Sequence, residues 1–363
     1  MTMPHSPIHT THTLATGGGS DFQEEFGWRL PRHYTDVAAE YRAATQGAAV
    51  HDGSYGGRLK ATGDDTLDLL NRMSTNLVLR LEPGQGAPTI LTTDRGRILD
   101  LVGVANLGDY FLILTSPAGQ QRVMGWLDRY TIMEDLTVTD VTPETAQLTL
   151  LGPNSAATLQ SLTGLDCSTL RPFHSRAAQL AGHPVTVLAR PLGDLPSFDL
   201  LLTRAAASAG WDALQAAGAA PLGGDAYEVL RVQQGVPQYG RELGEAYNPL
   251  EAGLIGSINF AKGCYIGQEV IARLDTYKKV QKYLVQLSFS DDAVVSAGAT
   301  LEQDGRSVGQ VTSLVTVPGS EARVGLGYVR TARARTGSRL TLPAPAHGWA
   351  EVIAVPQLFG PGE

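Results

Sequence analysis

The sequence predicts an α+β protein in which two mixed regions precede a smaller all-β region. Helical and strand patterns alternate from residue 36 to residue 234 in two successive stretches, which suggests a duplicated fold without a residue-level repeat. From residue 284 onward only short strands separated by turn residues remain, which is typical of a small barrel or sandwich. The length of 363 residues also exceeds what one hydrophobic core usually organises. We therefore expect a tail at 1–20, an α+β region at 21–282 and a β region at 283–363.

The first 20 residues are rich in Thr, His and Gly and end in the run Gly17–Ser20. They have no periodic apolar pattern, so a disordered tail is predicted. His5, His9 and His12 lie within it, but a flexible tail offers no neighbouring groups to orient histidine rings around a metal ion. We assign no metal site to the chain.

The first α+β stretch is predicted from its apolar periodicity. Two aspartates, Asp64 and Asp65, are expected to cap a helix whose apolar residues share one face. A hairpin is predicted around the turn at 106–109. The predicted elements are helices at 36–44, through Leu67, Leu70 and Met73, and through Val123, Trp126, Leu127 and Tyr130, with strands at 47–59, 98–105 and 110–115.

The second stretch repeats this alternation, and the all-β region follows it. The predicted strands of the second stretch are 136–141, 147–151, 185–189 and 198–203, and its helices are 154–162, 205–216 and 227–234. Six strands are predicted beyond the boundary near 282, at 284–289, 300–302, 308–314, 324–329, 338–342 and 350–355.

The composition is that of an ordinary soluble globular protein, with 43% apolar and 18% charged residues. No stretch of about 18 apolar residues suggests a membrane span. The first residues show no apolar run behind a basic start, so we expect a cytoplasmic location. A net charge of −8 disfavours nonspecific attraction to nucleic acid. Two cysteines exclude a disulfide framework and disfavour a metal or cluster site built from this chain's thiolates alone.

The stretch Ala261–Glu269 holds one of the two cysteines, Cys264, in a turn punctuated by glycines. Residues 257–260 alternate like a strand and residues 268–274 have helical spacing, which places Cys264 near a helix N-terminus. Backbone N–H groups there favour a thiolate, and Lys262 would add to that effect. On residue type alone, an ordinary half-buried cysteine remains the alternative.

The run from Lys262 to Glu269, followed by Arg273, resembles the signature of the YgfZ-type folate-binding proteins. These are relatives of the aminomethyltransferase (T-protein) of the glycine cleavage system. Further similar segments are Phe26–Trp28, Asp52–Ser54, Leu230–Arg231, Gly235–Pro237, Val308–Gly309, Val311–Ser313 and Gly327–Val329. The resemblance implies a GcvT-like three-domain cloverleaf, with two α+β domains around a central folate cavity and a C-terminal β-barrel. It also implies tetrahydrofolate, or a derivative, as the cofactor.

Two positions depart from the T-protein pattern. The transferase carries two successive acidic residues where this chain has Asp100 and Leu101, and we take the second to be the catalytic carboxylate. A one-residue shift would let Asp100 fill that role. The glutamate that would hydrogen-bond the pterin corresponds to Gln233, which carries no charge. The folate contacts expected from the resemblance are Asp100, Gln233, Tyr239, Arg241 and Arg273.

The resemblance implies a folate-binding accessory protein for iron-sulfur cluster assembly or maintenance and for cluster-dependent tRNA modification. Cys264 would be its reactive thiol, Lys262 and Asp100 would be further catalytic residues, and we expect no turnover of its own. Its partners would be folate and iron-sulfur proteins or cluster carriers, with no membrane contact.

Two other functions are considered. The alternative is a true aminomethyltransferase that transfers a one-carbon unit from an aminomethyl-lipoyl carrier to tetrahydrofolate. The overall pattern favours it, whereas Leu101, Gln233 and the cysteine motif oppose it. In addition, a basic run after the motif could make weak contact with tRNA, through Lys278, Lys279 and Lys282.

Overall fold

The computed structural model describes residues 5–15, 22–320 and 322–359. The chain forms two compact units. The first consists of Met1–Asn71, Val78–Pro88 and Val102–Tyr227, and the second of Arg72–Leu77, Thr89–Leu101 and Glu228–Glu363. Residues 228–281 belong to the same compact unit as the C-terminal strands.

The described residues form the following elements. The helices are α1 (His9–Ala15), α2 (Val37–Gln46), α3 (Thr66–Met73), α4 (Gln120–Tyr130), α5 (Ser155–Thr163), α6 (Ala207–Ala216), α7 (Gly224–Gln233) and α8 (Gln268–Thr276), with 3-10 turns at Thr142–Glu144, Arg204–Ala206 and Ile255–Ser257. The strands are β1 (Phe22–Glu25), β2 (Trp28–Pro31), β3 (Ala49–Asp52), β4 (Gly57–Thr62), β5 (Gly86–Thr92), β6 (Ile98–Asn106), β7 (Phe111–Thr115), β8 (Thr137–Asp140), β9 (Thr145–Leu151), β10 (Ser175–Leu180), β11 (His183–Ala189), β12 (Ser197–Thr203), β13 (Ala220–Leu222), β14 (Lys282–Phe289), β15 (Thr300–Gln303), β16 (Arg306–Thr316), β17 (Arg323–Arg330), β18 (Arg339–Thr341) and β19 (Trp349–Ala354).

The N-terminal segment differs from the predicted disordered tail. Residues 9–15 form α1, and the segment is held by buried side chains. Ile8 is 1% exposed and joins the core of the first unit. The buried ring of His12 lies 2.8 Å from Asp52 Oδ2 and 2.8 Å from the Tyr34 hydroxyl. The rest of the predicted tail, residues 1–4 and 16–20, lies outside the described residues.

The core of the first unit lies against a six-stranded sheet of order β10-β11-β12-β9-β3-β13. Its inward residues, such as Leu148 and Leu200, pack with the fully buried Trp211 of α6. Helix α2 begins where its sequence pattern predicts, because the Asp36 carboxylate accepts a hydrogen bond from Ala39 N at 2.8 Å. The prediction missed β10, because Leu180 is its only large apolar residue.

A five-stranded sheet has the order β5-β6-β7-β4-β8. The hairpin predicted at 106–109 is confirmed, since Asn106 pairs with Phe111 across the turn. The predicted caps of α3 act elsewhere: the Asp65 carboxylate accepts a hydrogen bond from Asp135 N at 2.8 Å. Here a tertiary contact replaces the local one that the sequence suggested.

The six C-terminal strands close into a barrel of order β14-β17-β16-β15-β18-β19. Closure is visible at β14, which pairs with both β17 and β19, and it decides between the barrel and the sandwich. Alternate residues, among them Leu287, Val329 and Val352, fill the interior. Among the described residues, no helix combines the length and apolar character that a membrane crossing requires.

Candidate functional site

Cys264 lies in a turn of the second unit, immediately before α8, and it is exposed. The helix begins at Gln268 with Gly267 as its N-cap, so the thiol precedes the first helical residue by four positions. The prediction that Cys264 lies shortly before a helix start is therefore correct. The N–H of Gln268, in the first turn of the helix, donates its hydrogen bond to Tyr265 O at 3.2 Å. The chain presents this thiol on the surface and does not use it for packing.

The residues on either side of Cys264 hold the turn in place. Tyr265 is 7% exposed and packs in an apolar cluster with Ile271 of α8. Ile266 N donates to Arg72 O at 3.1 Å, and its carbonyl accepts from the Thr92 hydroxyl at 2.5 Å. A rigidly anchored backbone with an outward-pointing thiol can react with a partner molecule without local unfolding.

Gly267 brings this turn against the tip of the β5-β6 hairpin. Its φ of 82° lies in the left-handed region that glycine tolerates. A Cβ atom added there would lie 2.5 Å from Thr93 O and 3.0 Å from the backbone of Gly96. The second glycine of the motif is therefore required by both conformation and space.

Lys262 lies in a buried position at the start of the Cys264 turn. Its side chain is 9% exposed, and its ammonium donates hydrogen bonds to the carbonyls of Ser74 and Asn76, each at 2.7 Å. Burial lowers the pKa of this amine to about 7. The amine thus ties the start of the turn to residues 74–76.

Asp100 and Leu101 lie on β6 within the second unit. Asp100 is completely buried, whereas Leu101 is partly exposed and packs against the apolar cluster that contains Leu243 and Tyr265. Successive residues of a strand point to opposite faces, so the two side chains cannot take the same place. A one-residue shift in register would exchange these faces.

Gln233 and Tyr239 flank the turn that follows α7. Gln233 is half-buried at the last position of the helix, where its carbonyl accepts a hydrogen bond from Gln286 Nε2 at 2.5 Å. Tyr239 is also half-buried and packs against the same apolar cluster as Leu101. An amide and an aromatic ring of this kind fit a pterin, which needs hydrogen bonds at its edge and stacking on its face.

A buried ionic network, which the sequence did not lead us to predict, lies beneath this turn. Arg231 is 4% exposed and lies 2.7 Å from Glu228 Oε1 and 3.1 Å from the fully buried Glu242. Ser313 on the barrel accepts from Arg231 at 2.9 Å and donates to Glu242 at 2.7 Å. The sequence feature that could have indicated this network is an arginine between the apolar residues of α7, because a charge at such a position requires a buried partner.

The predicted cationic contacts lie on the surface in ion pairs. Arg241 Nη1 lies 2.5 Å from Glu228 Oε1, and Arg273 Nη2 lies 2.5 Å from Glu269 Oε1 on α8. The Arg273 and Glu269 side chains are 69% and 74% exposed, so this pair contributes little to stability. Lys278, 80% exposed, pairs with Asp275, and Lys279 lies over the ring of Tyr277.

The structure brings some of the predicted site residues into one region and not others. Leu101 and Tyr239 pack against one apolar cluster that also contains Tyr265, the neighbour of Cys264. Arg273 points away into solvent with Glu269. Within the described ranges, no group of three or more His, Cys, Asp or Glu side chains is placed to hold a metal ion. The arrangement offers a surface thiol and a half-buried aromatic and amide surface.

Comparison with known proteins identifies the family. Residues 11–262 match the GCVT N-terminal domain, and residues 282–359 match the glycine cleavage T-protein C-terminal barrel domain. A chloroplastic protein of Arabidopsis thaliana with a provisional transferase name is 34% identical over 83% of this chain and 69% of its own length. An aminomethyltransferase of Geobacillus kaustophilus is 30% identical over 86% of this chain and 87% of its own.

A solved structure has the same fold. The glycine cleavage system aminomethyltransferase T from Bartonella henselae superposes with a TM-score of 0.86 over 99% of both chains, at 21% sequence identity. The α+β fold with a closed C-terminal barrel, predicted from the sequence, is therefore confirmed. The resemblance to the wider T-protein family is confirmed as well, while none of these matches distinguishes the YgfZ-type branch within it. The chain belongs to the glycine cleavage T-protein (GCVT) family.

Proposed function

We propose that this protein binds tetrahydrofolate or a derivative and uses the exposed thiol of Cys264, in place of a carboxylate on β6, as its reactive group. The proposal rests on one observation: Leu101 packs against an apolar cluster at the position where the T-protein resemblance expects the catalytic carboxylate. Aminomethyl transfer needs a group that steers protons and stabilises developing positive charge, which leucine cannot do. Losing such a group typically lowers the rate by about 10²–10⁴-fold.

Asp100 is a poor substitute for that carboxylate. It lies on the opposite face of β6 from Leu101 and is completely buried. Asp100 would stand where the transferase carboxylate stands only if the family pattern matches this chain one residue earlier along β6. The chain therefore keeps an acidic residue next to the expected position but directs it elsewhere.

Folate binding does not depend on the missing carboxylate. The half-buried amide of Gln233 and the ring of Tyr239 would hold the pterin, which supplies one-carbon chemistry when it is bound. Arg241, 41% exposed and paired with Glu228, is the cation best placed on this part of the chain to meet an anionic glutamyl tail. Arg273 is a weaker candidate because its partner is the solvent-exposed Glu269.

We further propose that the protein serves iron-sulfur proteins or cluster carriers in the cytoplasm, with Cys264 contacting a cluster or a partner's thiol. An exposed thiol on an anchored turn suits contact with a second molecule, and the chain's other cysteine, Cys167, is buried. A weak tRNA contact through the exposed Lys278 and Lys279 would bring an RNA substrate close to this turn, and its affinity should fall with salt.

The test is complementation of a deletion strain, with cluster-dependent tRNA methylthiolation as the readout. Cys264→Ala should abolish rescue, whereas Ala261→Ser, at another exposed position of the same turn, should rescue like the wild type. Both proteins must accumulate equally, as judged by immunoblot. Full rescue by Cys264→Ala would refute the thiol's role.

Aminomethyl transfer is the second candidate, and the names of the relatives favour it. Besides the Geobacillus protein, an aminomethyltransferase of a Picosynechococcus strain is 28% identical over 94% of each chain. If this chain is a transferase, it should release ammonia from a loaded lipoyl carrier in the presence of tetrahydrofolate. The substitutions at positions 101 and 233 lead us to expect that it does not.

A further inference from the structure

A groove on the outer wall of the barrel has features that the proposed folate and thiol chemistry does not use. It encloses about 260 Å³ and is lined by residues of β14, β16 and β17 together with Tyr247. Two of its lining residues, Lys282 and Arg330, are cations, and no carboxylate belongs to the lining. All of these residues belong to the second unit.

The two cations are direct cross-strand partners. Lys282 on β14 pairs with Arg330 on β17 in antiparallel register, so their side chains emerge side by side on one face. Like charges in this position destabilise a sheet. In the part of the chain that the structure describes, neither residue forms an ion pair with a carboxylate. The fold therefore maintains a local repulsion that a bound anion would relieve.

The carboxylate that attracts Lys282, that of Glu251, already has other partners. Glu251 is 7% exposed, accepts a hydrogen bond from Asn248 N at 3.2 Å and lies 3.8 Å from Arg97 Nη1. Burial has the largest effect on Lys282 and lowers its pKa. The negative charge of Glu251 opposes this effect, and the positive charge of Arg97 adds to it. Glu251 therefore acts on Lys282 and Arg97 together.

Lys282 is held by a rigid aromatic platform. The rings of Tyr247 and Tyr328 stack with centroids 4.0 Å apart and an interplanar angle of 9°. The ammonium lies 4.3 Å from the first centroid and 5.0 Å from the second, within cation–π range. Tyr328 is itself fixed, since its hydroxyl donates to Glu242 O at 2.7 Å. The charge is therefore positioned before any ligand arrives.

Hydrogen-bonding groups complete the lining. Gln310 is the cross-strand partner of Tyr328 and so lies on the same face as the two cations. The Thr312 hydroxyl is buried and has no hydrogen-bond partner among the described residues, and the Ser307 side chain is exposed at the rim. We propose that this groove binds a phosphate group, with Lys282 and Arg330 neutralising its charge and the hydroxyls completing its hydrogen bonds.

Titration calorimetry of the full chain with inorganic phosphate, and separately with a nucleoside monophosphate, tests this site. Loss of one charge-assisted hydrogen bond should weaken binding by about tenfold or more, so Lys282→Gln and Arg330→Gln should each do so. Arg333→Gln, at a 44% exposed arginine of the same barrel outside the groove, should bind within about twofold of the wild type. Lys282→Arg, which keeps the positive charge, should retain phosphate binding. Arg330→Gln alters an exposed side chain, so misfolding would not account for a loss of phosphate binding in that variant.

A second ligand distinguishes the source of the phosphate. If the natural ligand is a free phosphate ester, a single-stranded oligoribonucleotide should bind no more tightly than the nucleoside monophosphate. If it is an RNA backbone, the oligonucleotide should bind more tightly, and each lost cation should lower the slope of log K against log salt by about 0.7. Absence of binding by every phosphate ligand, or equal binding by the wild type and both glutamine variants, would overturn the proposal.

The inference does not depend on the proposed function. Tetrahydrofolate affinity measured on the same glutamine variants should stay at the wild-type value. A loss of phosphate binding with folate binding intact concerns the groove alone, and the reverse pattern concerns the folate contacts alone.

Discussion

Replacing Gly267 by alanine should destabilise the second unit and displace the Cys264 turn. The left-handed φ of 82° costs a residue with a Cβ atom about 1–2 kcal/mol. The new Cβ atom would lie 2.5 Å from Thr93 O, and relieving a contact of this kind in a packed region costs about 1–3 kcal/mol. The two effects together predict a loss of about 2–5 kcal/mol in the free energy of unfolding.

Gly263 supplies the matched control, because it lies in the same turn and a Cβ atom there would meet no atom within 4 Å. Gly263→Ala should change the free energy of unfolding by less than about 0.5 kcal/mol. Urea denaturation followed by circular dichroism compares the two variants, and the rate of Cys264 alkylation reports the geometry of the turn. Equal stability of the two variants would refute the steric and conformational argument.

Three further outcomes are expected from the same unit. Arg231→Met should destabilise the protein by about 3–5 kcal/mol because it leaves the fully buried Glu242 without its cation, and a loss below about 1 kcal/mol in thermal or urea unfolding would contradict this. Burial lowers the pKa of Lys262 to about 7, well below the value of about 10.4 in an unfolded chain. Between these two pH values the unfolded state binds more protons than the folded state. The free energy of unfolding should therefore rise from pH 7 to pH 9. Lys262→Met should lack that component of the rise, and identical pH profiles for the two proteins would count against it. Titration of the native protein with a thiol reagent should find one fast thiol, Cys264, and two fast thiols would show that the 1% exposed Cys167 is accessible.

Much of the fold follows from local pattern. The barrel strands and the helices α2 and α6 have the apolar periodicity of their final environment, so burial in the structure repeats what the sequence displays. The N-terminal segment could not be predicted in this way. Its Thr and His residues look polar, and their burial depends on Asp52 and Tyr34, which only the tertiary fold brings to His12.

The candidate site shows the same division. The turn around Cys264 was within reach of the sequence, because the glycines mark a turn and the helix pattern starts after it. The surroundings of Lys262 were not, since its acceptors belong to residues 188 and 186 positions away. A lysine two positions before a cysteine suggested a charge near the thiol, and only the tertiary fold brings the carbonyls of Ser74 and Asn76 to its ammonium.

The choice between an accessory folate protein and a transferase depends on what Leu101 prevents. Restoring an acidic side chain with Leu101→Asp tests whether the rest of the machinery is present. The variant would also bury a charge in an apolar cluster, so its stability must be measured before its activity is interpreted.

Ammonia release from an aminomethyl-lipoyl carrier in the presence of tetrahydrofolate is the most direct measurement. A known T-protein serves as the positive control, and tetrahydrofolate binding is confirmed in the same sample. We predict that this protein binds tetrahydrofolate and releases ammonia no faster than the mixture without protein. Release at the rate of the T-protein control would show that the chain is an aminomethyltransferase despite Leu101.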